Sequence, residues 1–218
     1  MPGSDRIYLA LTSGNVRNLG RPDGNPGRRG EFLFFAFRRK TEYMSSAMTL
    51  VLRQLNESDE QAFFEGFKEW EGESPHWYTF AWQEGMSFLS MLDRLRKDVL
   101  GVDLAPGQVP HTMLYGFWDG KIIGRMSIRH HLNEYLRVRG GHIGYSVAKR
   151  YRGRGYATEM VRQALKYCEQ IGIGSIMITC ADDNIASWKI IEKFGGKLKD
   201  RIWDDEDEEY VRRYWIDK

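Results

Sequence analysis

The segment Arg152-Gly153-Arg154-Gly155-Tyr156-Ala157 combines residue types and spacing suited to holding phosphate. It separates a strand-like run, Ile143 to Val147, from a helix-like run beginning at Thr158. The first backbone N–H groups of a helix have no internal partner, and the helix dipole favours an anion there. Two glycines allow close backbone approach and unusual dihedrals. Arg152 and Arg154 add positive charge. The spacing reads Arg-x-x-Gly-x-Ala. It differs from the Walker pattern, which ends in Gly-Lys-Ser/Thr, and from the dinucleotide pattern Gly-x-Gly-x-x-Gly. The turn therefore predicts a phosphate-bearing ligand, with an ordinary helix start as the plainer reading.

The rest of the chain must position this turn. With 218 residues, 42% hydrophobic and 28% charged, it is long enough for one soluble globular domain with a substantial core. The longest apolar run, Phe32 to Phe37, is far short of the roughly 20 residues that span a bilayer. The N-terminus lacks the basic-then-apolar order of a secretory signal. Cys168 and Cys180 make neither a disulfide framework nor a zinc site, so a cytoplasmic location and no membrane partner are expected. Residues 1–47 carry eight Lys/Arg against four Asp/Glu. The remainder, with 24 against 26, is slightly acidic, which argues against a nucleic-acid partner.

Residues 1–47 include a Gly/Pro/Arg-rich stretch, Gly20 to Gly30, with no core-forming pattern. They are read as an irregular extension or, alternatively, a basic arm; Met44 and Met48 are both candidate starts. Residues 48–218 form the expected domain. Leu50 to Leu55 reads as a strand, and Asn56 or Ser58 can cap a helix through Trp70. A second helix is expected over Met86–Val99. Strands over His111–Trp118 and Lys121–Ile128 flank Asp119-Gly120, a hairpin signal. A strand follows at Gly141–Val147, then the glycine turn and a helix to about Gln170. Ser175–Cys180 reads as a strand and Asn184–Phe194 as a helix closed by Gly195-Gly196. Leu198–Trp203 and Tyr210–Ile216 make a last hairpin.

This order of elements resembles the GNAT superfamily of acyl-CoA-dependent N-acetyltransferases over about residues 49–218. The family's Gln/Arg-x-x-Gly-x-Gly/Ala motif is matched by Arg152, Gly155 and Ala157. A second segment, Asn184-x-x-Ser187 leading to Glu192-Lys193-Phe194-Gly195-Gly196, is similar to its Asn-x-x-Ala/Ser…Glu-Lys-x-Gly element. With Gly-His-Ile-Gly-Tyr-Ser-Val before the turn, the chain looks like a bacterial branch without well-defined substrates. The resemblance implies an α/β (α+β) fold, a mostly antiparallel sheet of six to seven strands with about four helices. It implies acetyl-CoA as donor, with its pyrophosphate on Arg152, Gly153, Arg154, Gly155, Tyr156, Ala157 and Thr158. Val147 would offer backbone groups to the pantetheine arm, and Asn184 and Ser187 would lie near it. The acceptor would be a small-molecule or peptide amine, and a homodimer would be in keeping with similar proteins.

A lysine-like amine, with pKa about 10.4, is neutral in only about one molecule in 2,500 at pH 7, a cost of about 4.6 kcal/mol. A base, or a site that lowers the amine pKa, must address it. Where the family often has a glutamate near the start of the fourth strand, the best match is His142. It reads either as the base or as a strand histidine with its hydrogen bonds met. Alternation would put it on one face with Gly144 and Ser146. Glu134, in a polar loop, is the second candidate. His130 and His131 should point to opposite faces, and no side-chain cluster suggests a metal. At the position where many relatives carry a proton-donating tyrosine stands Ile191, which cannot donate. Tyr145, Ser187, Cys180 or water could serve instead, and the substitution leaves a non-catalytic acyl-CoA sensor as the alternative. Trp70, Trp77, Tyr78, Phe80 and Trp82 are read as core, or as an aromatic roof over the acceptor. The acidic run from Asp204 to Glu209 is read as a solvated hairpin tip, or as a lure for a polycationic acceptor.

Overall fold

The computed structural model describes residues 49–73, 78 and 81–217. The readings for residues 1–47, and those for Trp77 and Phe80, lie outside the described residues. Among the described residues seven strands and five α-helices follow in chain order: β1 (Val51–Arg53), α1 (Glu60–Gly66), α2 (Phe88–Leu100), β2 (His111–Trp118), β3 (Lys121–Arg129), α3 (Glu134–Val138), β4 (Ile143–Val147), α4 (Tyr156–Gln170), β5 (Ser175–Ala181), α5 (Ile185–Lys193), β6 (Lys197–Asp204) and β7 (Glu209–Asp217). This is the mixed α+β architecture that the sequence predicts.

The strands form two antiparallel sheets, β1-β2-β3-β4 and β5-β7-β6. Among the described residues one backbone hydrogen bond joins them, from His142 N–H to the Met177 carbonyl (2.7 Å). Beyond that joint, among the described residues, β4 pairs only with β3, and its other edge carries no ladder. The joint needs Gly141, whose φ is +57°. A Cβ there would lie 2.5 Å from the Met177 carbonyl oxygen. Arg129 secures the loop leading into it by donating from Nη1 to the Gly140 carbonyl (2.8 Å).

The core lies on both faces of the four-stranded sheet. On one face α4 packs Met160, Val161 and Ala164, all buried. Gly116 and Gly124 leave room there, since a Cβ on Gly124 would approach the Met160 sulfur to 2.9 Å. On the other face Phe63, Tyr78 and Tyr115 form a buried ring cluster. The first helix is less regular than expected. Asn56 caps a short 3-10 turn through a capping box, α1 follows, and the chain tightens to 3-10 at Phe67–Trp70. Gly66 at that transition makes room for the Tyr78 hydroxyl, which a Cβ would overlap.

Three local expectations change. Glu134 sits not in a loop but in the first turn of α3, because the Asn133 side chain accepts from Leu136 N–H (2.9 Å) and starts a helix. β4 begins at Ile143, so His142 belongs to the joint and not to the strand. The acidic tip is not simply solvated. Asp204 is buried, and Arg139 pairs with Asp204 at 2.9 Å, with Asp207, and with Glu209 at 4.0 Å. Asp205, Glu206 and Glu208 remain exposed at the tip.

Candidate active site

The glycine turn opens α4 as its spacing predicts. Gly155 is the N-cap with φ +84°, and no side chain caps the helix. Gly153 has φ +73°. A Cβ at either glycine meets nothing within 4 Å, so the backbone angle, rather than crowding, calls for glycine. Gly153, Arg154 and Gly155 are exposed, and Tyr156, Ala157 and Thr158 are partly buried. The end of α4 thus offers backbone donors and the positive end of a four-turn dipole to solvent.

Arg152 does something its position in the motif did not reveal. Its Nε donates to the Val147 carbonyl (2.8 Å), and its Nη2 donates to Glu73 Oε2 (2.9 Å). The side chain therefore ties the turn to the end of β4 and to the segment after Trp70. Glu73 carried no motif by which the sequence could have singled it out.

The pairing pattern sets which way β4 points its backbone. Arg129 N–H donates to the His142 carbonyl (2.8 Å) and Ala148 N–H to the Ile123 carbonyl (2.9 Å). In an antiparallel ladder, residues alternate between facing the partner strand and facing away. Gly144 and Ser146 then bond to β3, while Ile143, Tyr145 and Val147 direct their N–H groups to the unpaired edge. That edge and the α4 N-terminus are consecutive in the chain.

Side chains close the other side. Asn184 caps α5, its Oδ1 accepting from Ser187 N–H (3.1 Å). The Tyr145 and Ser187 hydroxyls are 3.0 Å apart, which links β4 to α5. Burial pushes the Tyr145 phenol up to about 12 and the Cys180 thiol likewise up to about 12. Both remain protonated at neutral pH. Ile191 is fully buried in the core. A Cβ on Gly196 would come within 2.5 Å of it, so this position is filled by packing.

His142 is buried, and its Nδ1 accepts from Met177 N–H (2.9 Å). Burial first, then the nearby Arg137 and Arg129 charges, hold its pKa down at about 4. A neutral ring that accepts at Nδ1 carries its proton on Nε2. These observations favour the reading of a histidine with its hydrogen bonds met over that of a base. Glu134 is exposed on α3, in the connection that enters β4 from the end opposite Val147. At about 3.3 Å per strand residue, the length of β4 separates the two. The structure thus gathers Val147, the 152–158 turn, Tyr145, Asn184 and Ser187 around one break in the sheet, and places His142 and Glu134 away from the turn. Trp70 and Tyr78 are core residues, and Trp82 is half-buried and donates from Nε1 to the Met86 carbonyl (2.9 Å).

A sheet broken beside a glycine-led helix start is the frame of an acyltransferase. The description of the acetyltransferase (GNAT) domain matches residues 49–197, and the chain belongs to this family of acyltransferases. Comparison with curated protein sequences gave no match. Solved structures share the fold. A protein described as a probable acetyltransferase is 20% identical, with TM-score 0.55 over 78% of this chain and 93% of its own. RimJ of Mycobacterium smegmatis, solved with a CoA disulfide, is 19% identical, with TM-score 0.55 over 77% of this chain and 81% of its own. An acetyltransferase of Salmonella typhimurium that modifies the N-terminal serine of ribosomal protein L7/L12 is 18% identical, with TM-score 0.52 over 80% of this chain and 98% of its own. At these identities the likeness is one of fold.

Proposed function

We propose that the protein transfers an acetyl group from acetyl-CoA to a primary amine by direct attack in a ternary complex. The observation that carries this reading is the uncapped, glycine-led N-terminus of α4 lying directly after a strand edge with no ladder partner. The pyrophosphate would rest on the N–H groups of Gly153 to Thr158, with Arg154 adding charge. The pantetheine arm would lie along β4 as a missing strand, bonded by the outward N–H groups of Tyr145 and Val147. Of the two Val147 backbone groups, the carbonyl is already held by Arg152, so the N–H is the one available to the thioester carbonyl. A donor aimed at developing negative charge lowers the barrier to acyl transfer.

The Tyr145 hydroxyl is the proton-bearing group we assign to the departing sulfur. With its pKa near 12, it would stabilise a thiolate by donating a hydrogen bond more than by surrendering its proton. With His142 engaged at the joint, amine neutrality would come from the site. Burial disfavours an ammonium ion, and so do the Arg125 and Arg129 cations. The family's acceptors in the solved relatives include a protein N-terminus, and a peptide or small-molecule amine is the class we assign here.

The test has two parts. Titration calorimetry should detect acetyl-CoA binding that weakens in Arg154→Ala. CoA release over peptides, amino acids, polyamines and aminoglycosides should depend on an amine. It should rise about tenfold per pH unit below the amine pKa, with no inflection near 6.5. Tight acetyl-CoA binding with no amine-dependent release would instead support the acyl-CoA sensor.

A further inference from the structure

The turn that opens α4 is braced from outside by one carboxylate, and a short reversal of the chain sets where that carboxylate stands. Glu71 has φ −58° and ψ 129°, and Gly72 has φ +78°. These are the dihedrals of a type II turn, whose third residue favours glycine. Glu73 N–H closes the turn on the Trp70 carbonyl (3.0 Å), and Trp70 is buried. Glu73 is thus anchored to the core through its backbone, while its carboxylate accepts from Arg152 Nη2 (2.9 Å).

The ion pair beside it is of another kind. Arg150 Nε lies 3.1 Å from Glu69 Oε2, with the Arg150 side chain 62% exposed, whereas Arg152 and Glu73 are 27% and 21% exposed. A well-hydrated pair contributes little. A charge-assisted hydrogen bond partly shielded from water holds geometry. Arg152 Nε donates at the same time to the Val147 carbonyl (2.8 Å). A guanidinium is planar and rigid, so a carboxylate that fixes Nη2 also fixes Nε, and with it the peptide plane that joins Val147 to Ala148. The opposite side of that peptide is pinned by Ala148 N–H on the Ile123 carbonyl (2.9 Å). Val147 is the residue whose own N–H is assigned to the thioester carbonyl, and such a donor is effective when it is held in place before the reaction. We infer that Glu73 is a positioning residue for acyl transfer. Through Arg152 it sets the direction of the Val147 N–H, and by occupying Arg152 it keeps that guanidinium off the phosphates of the donor. The inference rests on the acetyl-CoA reading of the turn. It divides the two arginines of the motif, Arg154 holding the donor and Arg152 aligning it.

Acetyl-CoA labelled with heavy carbon at the thioester carbonyl is the probe, read by infrared difference spectroscopy on the full-length protein without amine. A hydrogen bond to a carbonyl lowers its stretching frequency. The band of the ligand bound to the wild type should therefore lie below that of the ligand bound to Glu73→Ala. Glu73→Gln should fall between, because the amide oxygen still accepts from Arg152 without the charge, and this isosteric variant carries the test if the alanine variant folds poorly. Calorimetry should show acetyl-CoA binding to Glu73→Ala at least as tightly as to the wild type, since the released guanidinium adds its charge beside the pyrophosphate. With an amine that supports turnover, kcat should fall about tenfold at unchanged KM for acetyl-CoA, less than the loss on removing such a donor outright. Arg150→Ala, which breaks only the neighbouring pair, should match the wild type in all of these. An unshifted band in both Glu73 variants would overturn the inference. So would a fall in kcat matched by an equal loss of acetyl-CoA affinity, or the same band shift in Arg150→Ala, since either makes the carboxylate a brace of its own segment. The band needs no turnover, so the two readings fail separately. A band shift without amine-dependent CoA release sinks transfer alone, and amine-dependent release with an unshifted band sinks the positioning role alone.

Discussion

A histidine whose Nδ1 receives a backbone N–H loses that bond on protonation, so His142 should make the fold sensitive to acid. Its folded pKa of about 4 lies below the unfolded value near 6.5. The stabilisation is therefore complete above pH 6.5 and is lost as pH falls toward 4. Urea unfolding at a series of pH values should show the midpoint dropping across that window. His142→Asn, which keeps an acceptor without the titration, should flatten the drop. The sequence located His142 but not its partner, because Met177 lies 35 residues away and only the register of two sheets brings them together. Tyr145 stood in the sequence as one of several possible proton donors, and its bond to Ser187 is what gives its hydroxyl a direction. Tyr145→Phe should reduce kcat about tenfold with little change in acetyl-CoA affinity, as read by steady-state kinetics beside calorimetry.

Among elements, the start of α4 was legible because it is local. Glycine at positive φ, arginine and a helix-forming run all sit within a few residues, and short-range backbone rules decide their conformation. Gly155→Ala must hold alanine in the left-handed region, at a cost of about 1–2 kcal/mol. We expect a corresponding fall in unfolding free energy together with weaker acetyl-CoA binding. Binding unchanged at lowered stability would separate the turn from the ligand. What the sequence could not supply is the support behind the turn. Arg152 reaches Glu73 across 79 positions, and nothing in the spacing of either residue encodes that reach. The row of Tyr115, Arg125 and Ser146 across β2, β3 and β4 escaped notice for the same reason. Alternation says which residues of one strand share a face, whereas the rows across strands depend on register, and the shift between Gly116 and Phe117 in β2 is a detail of tertiary packing.

At the scale of the molecule, a single backbone bond among the described residues joins the two sheets, and side chains carry much of the remaining connection. Arg139, just after α3, pairs with the β6–β7 tip, and Arg213 on β7 donates to the Arg137 carbonyl at 2.9 Å. Arg139→Ala leaves Asp204 buried without that partner, which should cost about 1–3 kcal/mol, measurable as a lower denaturant midpoint at pH 7 that recovers in part with Asp204→Asn. The acidic run was read from composition as solvent-facing, and composition is silent about a cation supplied from another element. The break between the sheets has one more consequence, written in deuterium. Along β4 the amide hydrogens of Gly144 and Ser146 are locked into β3, while those of Tyr145 and Val147 face the gap. In the free protein, isotope exchange should alternate slow and fast from one residue to the next. Saturating acetyl-CoA should slow the Tyr145 and Val147 amides and leave their neighbours as they were, so that a single strand records both the protein's own ladder and the occupancy of the space beside it.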